Sequence, residues 1–317
     1  MPWRQFIEYF LEGVEMIRLR DLLTEGKFTV TYEPDSPVGF KIDCEFPQKV
    51  VEKIDAFGVY NNPRGIPKLD PFVYGWYLMN RYNKDVIVNI RTQDYTLPLF
   101  QSTLWGGYLL GIRNLLLVTG DYHPGSPFLI DVTEGITGIR KYLNEGYRIP
   151  PLTGKAKKYY NRFLSGEFER KRAKGATDFF VGAVLTPGRK GEKRIYKKKL
   201  EAGAQFFITQ LVYDAEIIKK FLEDIEPEVP VLVGTAPIKT MKRIKFLKKL
   251  GIQGLSDRII KELKSSEDIG EKCVELCSNM YQELRDFARE YGIKTGAHIM
   301  SIKNPVEAGK IIERIEK

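Results

Sequence analysis

Two carboxylates, Glu33 and Asp121, stand in this sequence where acid–base chemistry is possible. Residues 114–118 (Asn-Leu-Leu-Leu-Val) read as a strand buried on both faces, and Thr119, Gly120 and Asp121 follow it. Residues 28–32 are β-branched and aromatic and run straight into Glu33, before Pro34 and Pro37 stop the strand. In a parallel α/β fold, ligands bind at the carboxyl ends of strands. A carboxylic acid half-buried there has its pKa raised and can act as a general acid. Asp121 also suits a helix cap or loop residue, and spacing alone leaves both readings open. Other polar residues gather at the same relative position: Asn61, then Arg91, Thr92 and Asp94 after 86–90, then Thr186, then Gln210 after 205–208. The loop 186–193 contains Gly188-Arg189-Lys190-Gly191, which can hold phosphate through backbone N–H groups and basic side chains but is not a Walker motif.

The elements that position these residues alternate. Strands are expected at 28–32, 56–60, 86–90, 114–118, 179–185, 205–208, 229–234 and 294–299, with helices between them. Asp70 with Pro71 marks one helix start, and Asn304 with Pro305 and Glu307 marks another. Residues 240–291 read as a long helical region broken near 251–256. Eight strands in this order predict a single (β/α)8 TIM barrel over 28–317. Residues 1–27 read as an amphipathic helical arm with Phe6, Tyr9, Phe10, Val14 and Ile17 on one face, suited to packing or oligomer contact. Residues 153–174 are basic and aromatic. They resemble an insertion with Tyr160, Phe163 and Leu164 packed inward, and single-stranded nucleic-acid binding is the competing reading.

Composition narrows the classes. The net charge of +9 favours acidic small molecules, with most basic residues interleaved with acids on helices. Three cysteines (Cys44, Cys273, Cys277) without a C-x-x-C point to reduced thiols and a cytoplasmic protein. Cys273 and Cys277 lie one helical turn apart and read as core thiols. Two histidines, His123 and His298, cannot by themselves form a conventional zinc site, so no metal is expected. No apolar run reaches membrane-spanning length, and the first residues lack a signal-peptide core. No Gly-x-Gly-x-x-Gly motif is present.

Several short motifs, taken in order, resemble the methylenetetrahydrofolate reductase family. They are Glu33 at the end of strand one, Gly111-Ile112-Arg113-Asn114 and Thr119-Gly120-Asp121 around strand four, and Lys199-Leu200-Glu201-Ala202-Gly203-Ala204. Ile208-Thr209-Gln210 with Tyr213-Asp214, and Gly296-Ala297-His298-Ile299-Met300, complete the set. The resemblance implies a flavin-dependent barrel that passes a hydride from NADH or NADPH through FAD, or FMN, to a methylene carbon on a folate or a methanopterin-type carrier. It implies Glu33 as the acid that opens the methylene bridge. Asp121 is the implied aspartate between flavin and pterin, and Gln210 the glutamine bonded to the pterin. Asn89, Arg91, Thr119, Gly120, Asp121, Lys198 and Lys199 are the implied flavin contacts. A homo-oligomer is expected, with a partner subunit as an alternative and no nucleic-acid or membrane partner. Departures are Glu33-Pro34-Asp35-Ser36-Pro37 in place of Glu-Phe-x-Pro-Pro, and Thr119 where many members carry Arg.

Overall fold

The computed structural model describes residues 16–43, 45–120, 125–152, 157–158 and 171–315. Eight parallel strands close into a barrel in sequence order: β1 (Thr29–Glu33), β2 (Ala56–Val59), β3 (Asp85–Arg91), β4 (Asn114–Val118), β5 (Phe180–Leu185), β6 (Phe206–Thr209), β7 (Val231–Thr235) and β8 (Thr295–Met300). Closure pairs β1 with β8, placing Thr31 beside His298 and Glu33 beside Met300. The barrel expected from the alternating elements is the one observed.

Strand periodicity divides the side chains between two layers. Val30, Tyr32, Phe57, Val59, Val86, Val88, Leu115 and Leu117 join the core between strands and helices. The alternate positions Ala56, Ile87, Leu116, Phe180, Phe206, Ile208 and Leu232 fill the barrel interior. This inner cluster is apolar in its lower part. Continuing the same alternation toward the carboxyl ends brings Glu33, Asn89, Arg91, Gln210 and His298 to the inward face. The split along the barrel axis is what creates a polar mouth on a dry floor.

The described part of the arm is a plug. Helix α1 (Leu19–Glu25) buries Leu19 and Leu23 against the inner cluster. Its amino end is tied down by Asp85, fully buried at the start of β3, whose carboxylate accepts from Leu19 N at 2.9 Å. Gly26, at φ 77, ends it. Residues 1–15 lie outside the described residues.

The outer helices follow from local signals. Asp70 accepts from Phe72 N and Val73 N to cap α3 (Pro71–Tyr82), which follows α2 (Gln48–Lys53). Thr96 caps α4 (Leu97–Leu109), and Asp131 with Glu134 forms a capping box on α5 (Val132–Lys141). After α6 (Glu192–Glu201) and α7 (Ala215–Ile225), the region 240–291 is broken twice rather than once. It gives α8 (Met241–Lys249), α9 (Asp257–Ser265) and α10 (Ile269–Tyr291). Ser256 and Asp268 cap the second and third pieces. The last helix, α11 (Pro305–Arg314), departs from expectation at its start. The Asn304 side chain makes no cap and donates to Ile302 O at 3.1 Å instead. Cys273 and Cys277 are buried as expected; Cys44 lies outside the described residues.

Candidate active site

The carboxyl ends of β1, β3 and β8 bring three polar side chains together. Glu33, 7 % exposed, accepts from Asn89 Nδ2 at 3.1 Å through Oε2. The same oxygen lies 3.7 Å from His298 Nε2. On its other side the imidazole meets Thr31: Nδ1 to Oγ1 is 2.8 Å, and the Thr31 hydroxyl donates to Ala297 O at 3.1 Å. A hydroxyl has one proton, so Thr31 accepts from His298 Nδ1–H, and Nε2 faces the carboxyl group. The Glu33 carboxyl group thus sits between the Asn89 amide and the His298 imidazole. Gly58 on β2 makes the room: a methyl there would lie 2.9 Å from His298 Cε1 and 3.1 Å from Glu33 Cβ.

The loops above this layer are tightly held. Asp35 accepts from Ser301 Oγ at 3.0 Å and Lys303 N at 2.7 Å, and Tyr60 donates to it at 3.4 Å. Burial first, then the Asp35 charge, raises the Tyr60 hydroxyl well above its ordinary value, so it stays neutral. Ile302 and Lys303 take φ of 42° and 65°, a left-handed turn costly for a β-branched residue, next to that anchor. Asn61 Nδ2 donates to the hydroxyl of Tyr95 at 3.3 Å, which burial pushes up to about 12.

The remaining residues singled out in the sequence behave differently from one another. Arg91, almost fully buried, spends its guanidinium internally on Asp94 at 3.0 Å and on the Asn62 carbonyl. Gly120, at φ 90, packs on that guanidinium; a methyl group would lie 2.6 Å from Arg91 Nε, so only glycine fits. Thr119 is exposed at the end of β4. The Gln210 carboxamide oxygen accepts from the neighbouring Leu211 N at 3.0 Å. Lys198 is exposed, whereas Lys199 turns inward and donates to Val184 O at 2.5 Å. Burial, opposed by Glu192 and aided by Arg189, lowers the Lys199 ammonium to about 8. Asp121 and His123, and most of 153–174, lie outside the described residues. His298 is the residue that motif reading left without a role. Its signal was a lone polar side chain in a buried strand.

Among the described residues, no group of three or more His, Cys, Asp or Glu side chains is arranged to hold a metal ion. No described helix is long and apolar enough to cross a membrane.

Comparison with known proteins finds similarity over part of the chain. Residues 185–316 match the family profile described as methylenetetrahydrofolate reductase. A Caenorhabditis elegans protein named probable methylenetetrahydrofolate reductase (NADPH) is 26 % identical over 182 residues, covering 54 % of this chain and 24 % of that protein. Over these residues the chain is similar to the methylenetetrahydrofolate reductase family. An Arabidopsis thaliana relative, methylenetetrahydrofolate reductase (NADH) 1, is 28 % identical over 144 residues, 44 % of this chain and 22 % of its own length. The matched segments thus span about a quarter of the curated relatives. The barrel fold is also seen in an uncharacterized Clostridium thermocellum protein described as binding two copies of 5-methyl-5,6,7,8-tetrahydrofolic acid. It has a TM-score of 0.63 and 22 % identity, and the alignment covers 94 % of this chain and 98 % of that one.

Proposed function

We propose that this chain reduces a 5,10-methylene-tetrahydropterin, 5,10-methylenetetrahydrofolate in the first instance, to its 5-methyl form, with a nicotinamide as hydride donor and a bound flavin between them. The observation that carries the reading is a buried carboxyl group, Glu33, at a barrel mouth, held by Asn89 and backed by His298. The family match and the nicotinamides in the relatives' names support it.

Opening the methylene bridge requires a proton on the amine nitrogen that leaves the one-carbon unit. In this reading Glu33 gives that proton. The bridge C–N bond breaks and the one-carbon unit becomes an iminium able to accept hydride. The carboxylate left behind is stabilised by Asn89 Nδ2, and Glu33 is reprotonated through His298, whose orientation Thr31 fixes. Gln210 offers its NH2 group to the pterin. Asp121, from its place in the sequence, would set a negative charge beside the cationic iminium.

The donor set fits an anionic flavin nucleotide. Lys199 is a largely buried ammonium whose charge burial disfavours, so an anionic group nearby would restore it. Lys198 and the Gly120 backbone are further candidates to hold it, with Asn89 at the ring. A bound flavin supplies hydride transfer between the nicotinamide and the methylene carbon. FAD is the form the family resemblance implies.

The test is the visible spectrum of the purified protein during anaerobic addition of NADH or NADPH and then methylenetetrahydrofolate. A flavin spectrum that bleaches with the nicotinamide and returns with the folate is expected. No flavin after reconstitution with FAD or FMN would overturn the reading.

A further inference from the structure

Glu33 ends β1 and Met300 ends β8, and the two face each other in the barrel register. One further main-chain bond carries the pairing past them: Ser301 N donates to Glu33 O at 2.8 Å. Beyond it a side chain takes over. Oδ2 of Asp35 accepts from Ser301 Oγ at 3.0 Å and from Lys303 N at 2.7 Å. Oδ1 accepts from the Tyr60 hydroxyl at 3.4 Å, and that hydroxyl accepts in turn from Ser36 N at 2.9 Å. One carboxylate thus joins the chain segments that follow β1, β2 and β8.

The segment it holds is not a relaxed one. Ile302 and Lys303 are successive left-handed residues, both with a Cβ, and such backbone persists only where its surroundings fix it. The N–H that Asp35 accepts belongs to the second of them. Ser301 is 1 % exposed, so the clamp is anchored in the buried layer and not on a loop tip. Glu33 lies two residues before Asp35, and His298 three before Ser301. Their facing atoms, Oε2 and Nε2, are 3.7 Å apart, a few tenths of an ångström beyond a hydrogen bond. A small shift of either strand end therefore decides whether a proton passes directly between them. Asp35 stands at the open position of the Glu-Phe-x-Pro-Pro motif, so the clamp belongs to this chain and not to the motif.

We propose that Asp35 is a positioning residue for the Glu33–His298 proton transfer: its carboxylate ties the end of β8 to β1 and so sets the distance between the two groups. The assignment rests on the reading of Glu33 as the acid. The role is geometric, so it requires acceptor atoms in place and not a charge. In D35N the carboxamide oxygen still accepts from Ser301 Oγ and Lys303 N, and the NH2 group donates to the Tyr60 oxygen. D35A keeps none of these bonds.

The experiment follows the two anaerobic half-reactions in the unaltered protein, D35A, D35N, H298Q and D35A/H298Q. D35A leaves flavin reduction by the nicotinamide unchanged and slows reoxidation by methylenetetrahydrofolate about tenfold, the scale of a misplacement well under 1 Å. D35N recovers most of that rate. In the H298Q background D35A adds less than about a twofold effect, because two residues acting through one contact are not additive. Equal slowing by D35A and D35N would make charge the requirement, and a full effect in the H298Q background would place the action of Asp35 elsewhere; either result overturns the proposal. Ser301→Ala removes one donor and keeps the carboxylate. It gives the same pattern at smaller amplitude and serves if D35A does not fold.

His298 is also read without turnover. The chain has two histidines, so the imidazole 15N signals of His298 are assigned by comparison with H298Q. The unaltered protein and D35N show the same signals, with the proton on Nδ1, and D35A shifts or broadens them. Identical His298 signals in D35A and the unaltered protein overturn the positioning role. Failure of methylenetetrahydrofolate to reoxidise the unaltered protein defeats the proposed function separately and leaves the spectroscopic test in force.

Discussion

Replacing Gly58 by alanine tests the packing of the acid–base layer without touching a polar group. Gly58 lies inside β2, where alanine would ordinarily stabilise by about 0.5–1 kcal/mol through reduced backbone freedom. Here the added methyl would approach His298 Cε1 to 2.9 Å and Glu33 Cβ to 3.1 Å, and both neighbours are buried. Ordinary contact needs several tenths of an ångström more, so the pair must separate. Overpacking of this kind costs about 1–3 kcal/mol, which reverses the sign of the substitution. A displacement approaching 1 Å at reacting groups costs on the order of a hundredfold in rate. Urea denaturation and kcat for methylenetetrahydrofolate reduction, measured on the same preparation, give both numbers. A Gly58→Ala protein of equal or greater stability and undiminished kcat would refute the account of how Glu33 and His298 are held.

Other consequences are as direct. Lys199 has a folded pKa of about 8 against 10.5 for the free side chain, so between those values the unfolded chain binds more protons and stability rises with pH. That rise, on the order of 2 kcal/mol, is lost in Lys199→Met when urea curves at pH 7 and pH 10 are compared. Leu23→Ala empties part of the plug beneath the barrel and costs about 2–5 kcal/mol, read as a lower denaturation midpoint with an unchanged m-value. Cys273 and Cys277 are fully enclosed, so a thiol reagent modifies them at the rate of unfolding and not before.

The barrel was legible because strand and helix periodicities are local. Each apolar run from 28–32 to 294–299 became a strand within two residues of its expected bounds. Caps at Asp70 and Asp131 are equally local, and so was the capacity of Asp268 to break the region 240–291 a second time. The failure at Asn304 has a physical reason: its amide finds Ile302 O, exposed by the left-handed turn at 302–303, before it can reach the helix. The role of α1 was hidden because plugging a barrel depends on closure. Leu19 and Leu23 meet residues as far away as Leu232. His298 was hidden for the same reason: its partner Thr31 is brought to it by the β1–β8 pairing. Arg91 shows the opposite limit. The resemblance gave this basic residue to the cofactor, and the fold adds contacts from its guanidinium to Asp94 and the Asn62 carbonyl that the motif did not show.

The central claim is that Glu33 supplies the proton that opens the methylene bridge. Its most direct test is Glu33→Gln followed through the two half-reactions separately, under anaerobic conditions. The account predicts flavin reduction by the nicotinamide at the unaltered rate, and reoxidation by methylenetetrahydrofolate slowed by roughly a hundredfold or more, the scale of a lost general acid. Reoxidation at the rate of the unaltered protein would contradict it.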